Sequence, residues 1–128
     1  MNHRNRNRHV ADFGLRLAVA ALALGTAYIH STLGGIQFTL NAIGYVVGAA
    51  AIIAPFAIAR RYRWAIRIGL AAYAATTIVA WAIDGPYYAT AYIAKAIELA
   101  LITLLVIDFG VGDANPFRRP HRPAAGRP

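Results

Sequence analysis

Lys95 and Glu98 stand three positions apart in a stretch, Tyr87 to Ile107, that is otherwise apolar or uncharged. On a helix this spacing puts both side chains on one face. Counted from Tyr87 at the helical rise, Lys95 lies about 12 Å and Glu98 about 16 Å into the segment. In a segment that crosses a bilayer, Glu98 is then close to the midplane. An ionisable group there costs roughly 2.5–3.5 kcal/mol on insertion scales, so it turns inward, pairs or loses its charge.

A second polar stripe recurs every four residues at Gln37, Asn41 and Tyr45. Asn41 and Tyr45 lie about 8 and 14 Å from Ile36, close to the depths of Lys95 and Glu98. His30 closes an earlier apolar stretch with Tyr28 just inside it, and Tyr88 and Tyr92 share the Lys95 face. Tyr73, Thr76 and Thr77 could complete the set, with His30 and Asp84 at its rim. Three chemistries fit these residue types. One is an outward-facing ligand-binding or proton-coupled site. Another is an internal Lys95–Glu98 pair, or a Lys95 that reaches out past Tyr88, with Asn41 and Tyr45 as interhelical hydrogen-bonding groups worth about 1 kcal/mol or less each. The third is docking to a larger membrane complex.

Catalytic and metal chemistry find little support. The apolar stretches hold one histidine, too few for a bis-His haem within one chain. A zinc site of His30, Asp84 and Glu98 would draw ligands from very different depths. There is no Ser-His-Asp spacing, phosphate-binding glycine loop or paired-carboxylate site, and Gly34-Gly35 reads as a turn. The absence of cysteine excludes disulfides, thiol catalysis, iron–sulfur ligation and cysteine zinc sites. No catalytic residue, metal or cofactor is expected.

The elements that position these residues follow from composition. Of 128 residues, 59% are hydrophobic and 14% charged, more apolar surface than a soluble domain of this size usually hides. Four stretches are long enough to cross a hydrocarbon core, at about 13–32, 36–59, 64–83 and 87–107. Short connectors at Leu33-Gly34-Gly35, Arg60 to Arg63 and Asp84-Gly85-Pro86 suit antiparallel neighbours. Pro55 falls near the end of the second stretch, where it can kink a helix. The expected architecture is an all-α integral membrane protein, an antiparallel bundle of four transmembrane helices over 13–109.

Arginine placement sets the expected orientation. Arg4, Arg6, Arg8 and Arg16 precede or open the first span, Arg60, Arg61, Arg63 and Arg67 surround the second connector, and Arg118, Arg119, Arg122 and Arg127 lie in the tail. The first and third connectors contain no Lys or Arg. The basic segment 1–12, the Arg60–Arg67 loop and the Pro- and Arg-rich tail 110–128 are therefore read as cytoplasmic, the tail as disordered, and the protein as multi-pass in the cell membrane. Trp64 and Trp81 bracket the third span, and Tyr87 and Tyr88 open the fourth, as an aromatic belt does. The half of the spans toward the cytoplasm reads as aliphatic packing, almost purely Ala, Ile, Leu and Val. A secretory signal is the rival reading of the first span, but its apolar run is long and the following connector short.

The net charge of +8 does not point to nucleic acid, because the arginines flank apolar spans and form no single basic domain. They suit anionic lipid head groups at roughly 1 kcal/mol per basic residue near the surface. Small residues provide packing surfaces: Gly44 and Gly48 as a GxxxG element, Ala72, Thr76 and Ala80, and Ala21 with Gly25. GxxxG serves contacts within the chain or a homodimer, so a homo-oligomer or larger membrane complex stays open. No internal repeat is visible.

Ile29-His30, Leu40-Asn41-Ala42-Ile43-Gly44-Tyr45 and Tyr92-Ile93-Ala94-Lys95-Ala96-Ile97-Glu98 together resemble small prokaryotic four-span membrane proteins grouped as domains of unknown function. The likeness covers about residues 13 to 108. It implies the same four-span fold and the same polar residues, and no activity. Small multidrug exporters are similar in span count and length, but they carry their membrane carboxylate in the first span, whose core here has none. The sequence thus favours a non-enzymatic structural or accessory membrane protein. The alternative is a small transporter-like or ligand-binding bundle with an outward-facing polar site around Lys95 and Glu98.

Overall fold

A computed structural model describes residues 3–111. The Pro- and Arg-rich tail expected at 110–128 lies outside the described residues from Gly112 onward. The described chain is helical, with no strand: α1 (His3–Thr32), α2 (Ile36–Ile53), α3 (Ala57–Arg61), α4 (Arg63–Asp84) and α5 (Ala89–Val111). Four of these helices contain segments long and apolar enough to cross a membrane: His9–Thr32, Ile36–Ile53, Arg63–Asp84 and Ala89–Gly110.

Two of the differences from the expected boundaries shape the fold most. Helix α1 starts at His3, well before Phe13, which makes Asp12 and Arg16 successive-turn neighbours joined at 2.6 Å. The second apolar stretch does not run unbroken to Ala59. Pro55 has no N–H to donate and its ring crowds the preceding turn, and Ala54 before it is extended (φ −54°, ψ 130°) as a residue preceding proline tends to be. The helix therefore stops at Ile53 and resumes as the short α3, whose Arg60 guanidinium donates to the Pro55 carbonyl.

The remaining connectors are glycine turns. Gly34 and Gly35 both have positive φ (73° and 88°), a region L side chains seldom occupy, and reverse the chain between α1 and α2. Gly85 (φ 71°) ends α4 by donating its N–H to the Trp81 carbonyl at 2.8 Å. Trp81 Nε1 then donates to the Pro86 carbonyl at 2.6 Å, tying the connector to the helix it leaves.

Each long helix buries a stripe at three- and four-residue spacing. These are Val19, Ala23, Thr26 and His30 on α1; Ala42, Tyr45, Ala49 and Ile52 on α2; Arg67, Leu70, Ala74 and Thr77 on α4; and Ala94, Glu98, Leu101, Leu105 and Asp108 on α5. Helix α1 packs on α2 and α5, and α4 packs on the same two. The buried set is thus rich in alanine and in polar or charged side chains. The large aliphatics Leu40, Ile43, Val47, Val79, Ile83, Ile93, Leu99 and Val106 are exposed on the outer faces. Soluble proteins distribute these residue types the other way round.

Small residues set how closely α2 approaches α4. A Cβ added to Gly48 would lie 2.6 Å from a Leu70 methyl, and one added to Gly44 would lie 2.6 Å from Tyr73 Cζ. The GxxxG element thus faces a helix of its own chain. Gly44→Ala is expected to displace the Tyr73 ring and destabilise the fold by about 1–3 kcal/mol, the usual range for overpacking. Gly25→Ala, with nothing within 4 Å of the added carbon, is the control. Thermal unfolding in detergent compares the two, and equal transition temperatures would show that α2 and α4 can separate freely.

Candidate functional site

Glu98 on α5 is 0% exposed, and three helices converge on it. Its Oε2 accepts from Lys95 Nζ at 2.7 Å and from the Thr77 hydroxyl at 3.0 Å. Its Oε1 accepts from the Thr26 hydroxyl at 3.3 Å and faces His30 Nε2 at 3.7 Å. Proton bookkeeping fixes several roles. His30 Nδ1 lies 2.8 Å from the Thr26 carbonyl, which only accepts, so Nδ1 carries a hydrogen and donates it. Thr77 Oγ1 has one proton to give, so the Tyr45 hydroxyl, 2.8 Å away, donates to it whenever that proton goes to Glu98 or to the Ala74 carbonyl at 2.9 Å. Lys95 spends its second donor on the Thr77 carbonyl at 3.3 Å. An ammonium has three donors, which leaves Lys95 one more.

That third donor belongs to a group on the wall of a cavity of about 390 Å³. The cavity lies between the ends of the long helices, and its lining includes His30, Asn41, Tyr73, Thr77, Asp84 and Lys95. Gln37 and Asp84 in that lining are exposed, so the space is reached from the Asp84 end. Tyr73 donates to Asn41 Oδ1 at 3.1 Å and meets the Tyr45 ring edge-on at 5.0 Å, which holds the cavity wall against the ion cluster.

Of the residues singled out from the sequence, Lys95, Glu98, Tyr45 and His30 come together directly. His30 sits beside Glu98 and is buried (3% exposed), deeper than the rim position expected for it. Asn41 and Gln37 line the cavity. Tyr92 does not join: it is exposed and stacks edge-on against Trp81 at 5.0 Å, while Lys95 bonds to Glu98. Gly44 and Gly48 lie at the α2–α4 contact. Thr26 was not anticipated. Its signal is its placement one helical turn before His30, where a buried hydroxyl and the next-turn imidazole share a face.

The opposite end corrects the expectation of purely aliphatic packing there. Arg67, 2% exposed, sits with its Nε 2.6 Å from Oδ2 of the fully buried Asp108 and its Nη2 3.5 Å from Asp12 Oδ1, while Arg16 holds the other Asp12 oxygen at 2.6 Å. The Arg67–Asp108 contact is close but not aligned as a hydrogen bond, and among the described residues Arg67 Nη1 and Asp108 Oδ1 find no hydrogen-bond partner. This network escapes a sequence reading because Asp12 and Asp108 fall just outside the apolar runs and Arg67 resembles one more flanking arginine. The extended ends of α1 and α5 carry both aspartates into the packed region.

Among the described residues no group of three or more His, Asp or Glu side chains converges as a metal site. No family model matches the chain, and no curated protein or solved structure matches it.

Removing one partner of a buried ion pair strands the other. Asp108→Leu is therefore expected to lower stability by about 3–5 kcal/mol, and Arg67→Met in the same chain to recover most of that loss. Unfolding in a denaturing-detergent titration measures both. An Asp108→Leu protein as stable as the parent would show that Asp12 alone holds Arg67.

Proposed function

We propose that this chain is a multi-pass integral membrane protein, an antiparallel bundle with both termini and the Arg60–Arg67 segment in the cytoplasm, that binds or carries a small polar solute without catalysing a reaction on it. Support for the membrane comes from four apolar helices that expose large aliphatics and bury their charges. Support for the orientation is the arginine-free character of the connectors at Gly34 and Gly85, against Arg60, Arg61, Arg63 and Arg67 beyond α2. Kinship with small prokaryotic four-span proteins is part of the same proposal, resting on His30, Asn41, Tyr45, Lys95 and Glu98.

One observation carries the binding role: Lys95, paired with Glu98, also borders a cavity large enough for a small ligand. A structural or accessory role, which the sequence by itself favours, gives no reason for space beside that ammonium. Two carboxyl-side donors, Thr26 and Thr77, hold the pair from separate helices, so the cluster is fixed in position before any ligand arrives.

The cysteine-free chain makes the test direct, since one introduced thiol is the only one. Asn41→Cys, on the cavity wall, is expected to react with a membrane-impermeant maleimide added outside intact cells, and Val79→Cys, on an outer face, to stay unreactive. Asp84→Cys should label from the same side, and Arg61→Cys only after permeabilisation. An Asn41→Cys as inert as Val79→Cys would remove the solute-binding reading. Labelling of Arg61→Cys in intact cells would reverse the orientation.

A further inference from the structure

We infer that the cavity takes a small organic monoanion, such as a short-chain carboxylate, together with one proton that is stored between His30 and Glu98. This inference rests on the cavity being a binding site, as proposed above.

Because Nδ1 donates to the Thr26 carbonyl at 2.8 Å, a neutral His30 presents the bare lone pair of Nε2 to Glu98 Oε1 at 3.7 Å. Two acceptors then face one another among buried side chains, an arrangement that one added proton relieves. The groups that face His30 are Thr26 on its own helix, the Phe38 and Tyr45 rings of α2 at 6.1 and 5.8 Å, and Glu98 of α5, whose other oxygen holds the Lys95 ammonium. From α4 the nearest charged residue in the cavity is Asp84, which is exposed at the mouth.

Charge balance links the proton to the ligand. With His30 neutral, the ammonium of Lys95 and the carboxylate of Glu98 cancel, and an anion entering beside them would leave one uncompensated negative charge in a buried site. With a proton on Nε2, Glu98 has a cation on each oxygen, and the cluster carries one positive charge. Lys95, which lines the cavity and has one donor beyond those given to Glu98 and Thr77, can then hold an anion, and the filled site is neutral. The proton and the anion therefore enter together. The lining selects the anion's shape. Asn41, Gln37 and Tyr73 offer hydrogen-bonding groups, Leu33, Phe38 and Ala80 offer an apolar wall, and the carboxylate of Asp84 at the mouth disfavours a second negative charge.

Trp81 also lines the cavity, so in a Trp64→Phe background its fluorescence reports occupancy. Propionate is the probe, in detergent micelles over a pH series from roughly 5.5 to 7.5. The apparent Kd should rise toward a limit of about tenfold per pH unit as pH increases, the slope of a one-proton linkage. A pH indicator in weakly buffered solution should record one proton taken up per propionate bound. His30→Gln keeps a donor for the Thr26 carbonyl but cannot take up the proton, so it should lose most of its affinity for propionate, and the binding that remains should show neither the slope nor the proton uptake. Propionate binding that is independent of pH, or that proceeds without proton uptake in the parent protein, overturns the inference. Propionamide separates the two levels. If it perturbs Trp81 while propionate does not, the cavity binds solutes and the coupled proton–anion site is wrong. If neither ligand perturbs Trp81 and Asn41→Cys is also unreactive, the binding reading falls with it.

Discussion

The burial of Glu98 is the constraint on which the rest of the structure depends. A carboxylate with no exposed surface must have its oxygens satisfied by groups brought from elsewhere. Here α5 supplies Lys95, α1 supplies Thr26 and His30, α4 supplies Thr77, and α2 supplies Tyr45 behind Thr77. Every long helix thus contributes to one hydrogen-bonded cluster. The alanine-rich faces around it are smooth and nearly interchangeable, and they tolerate sliding and rotation. A directional polar cluster does not, so it is the cluster that selects one register among many close-packed ones.

The long helices are legible in the sequence because their signal is additive: some twenty apolar residues in a row leave few alternatives. The interruption at Pro55 is visible as a residue, but how the chain continues depends on a contact that is not: Arg60, one of a run of arginines, donates from the short α3 to the Pro55 carbonyl. Lys95, Glu98, Tyr45 and His30 are legible as a site because polar groups in apolar stretches must find each other. Tyr92 is misplaced by the same logic: an aromatic ring can satisfy itself against Trp81 and needs no polar partner. Arg67 and Asp108 are missed for the converse reason. They lie where charged residues are ordinary, and only the tertiary packing turns them inward.

The two ends of the molecule solve the problem of buried charge differently. Toward Asp84 the polar groups are evenly matched with hydroxyls and carbonyls, and the packing leaves room. Toward Arg67 the charges are held mostly by each other, and among the described residues the guanidinium and carboxylate retain atoms without a hydrogen-bond partner. Helix α2 ends at Ile53, and the contacts among the described residues there come from α1, α4 and α5.

The early end of α2 has a mechanical consequence. Its 18 residues extend about 27 Å, short of a typical hydrocarbon thickness of about 30 Å, whereas the 22 residues of α4 extend about 33 Å. In a bilayer these neighbours would demand different thicknesses on two flanks of one small molecule. Phe56 and Ile58, exposed beside the break, would then rest among the head groups as a collar on the thin flank. The hydrophobic mismatch would be relieved by lipid deforming on one side only, which tilts the molecule and gives it a preference for thinner or more compliant membrane.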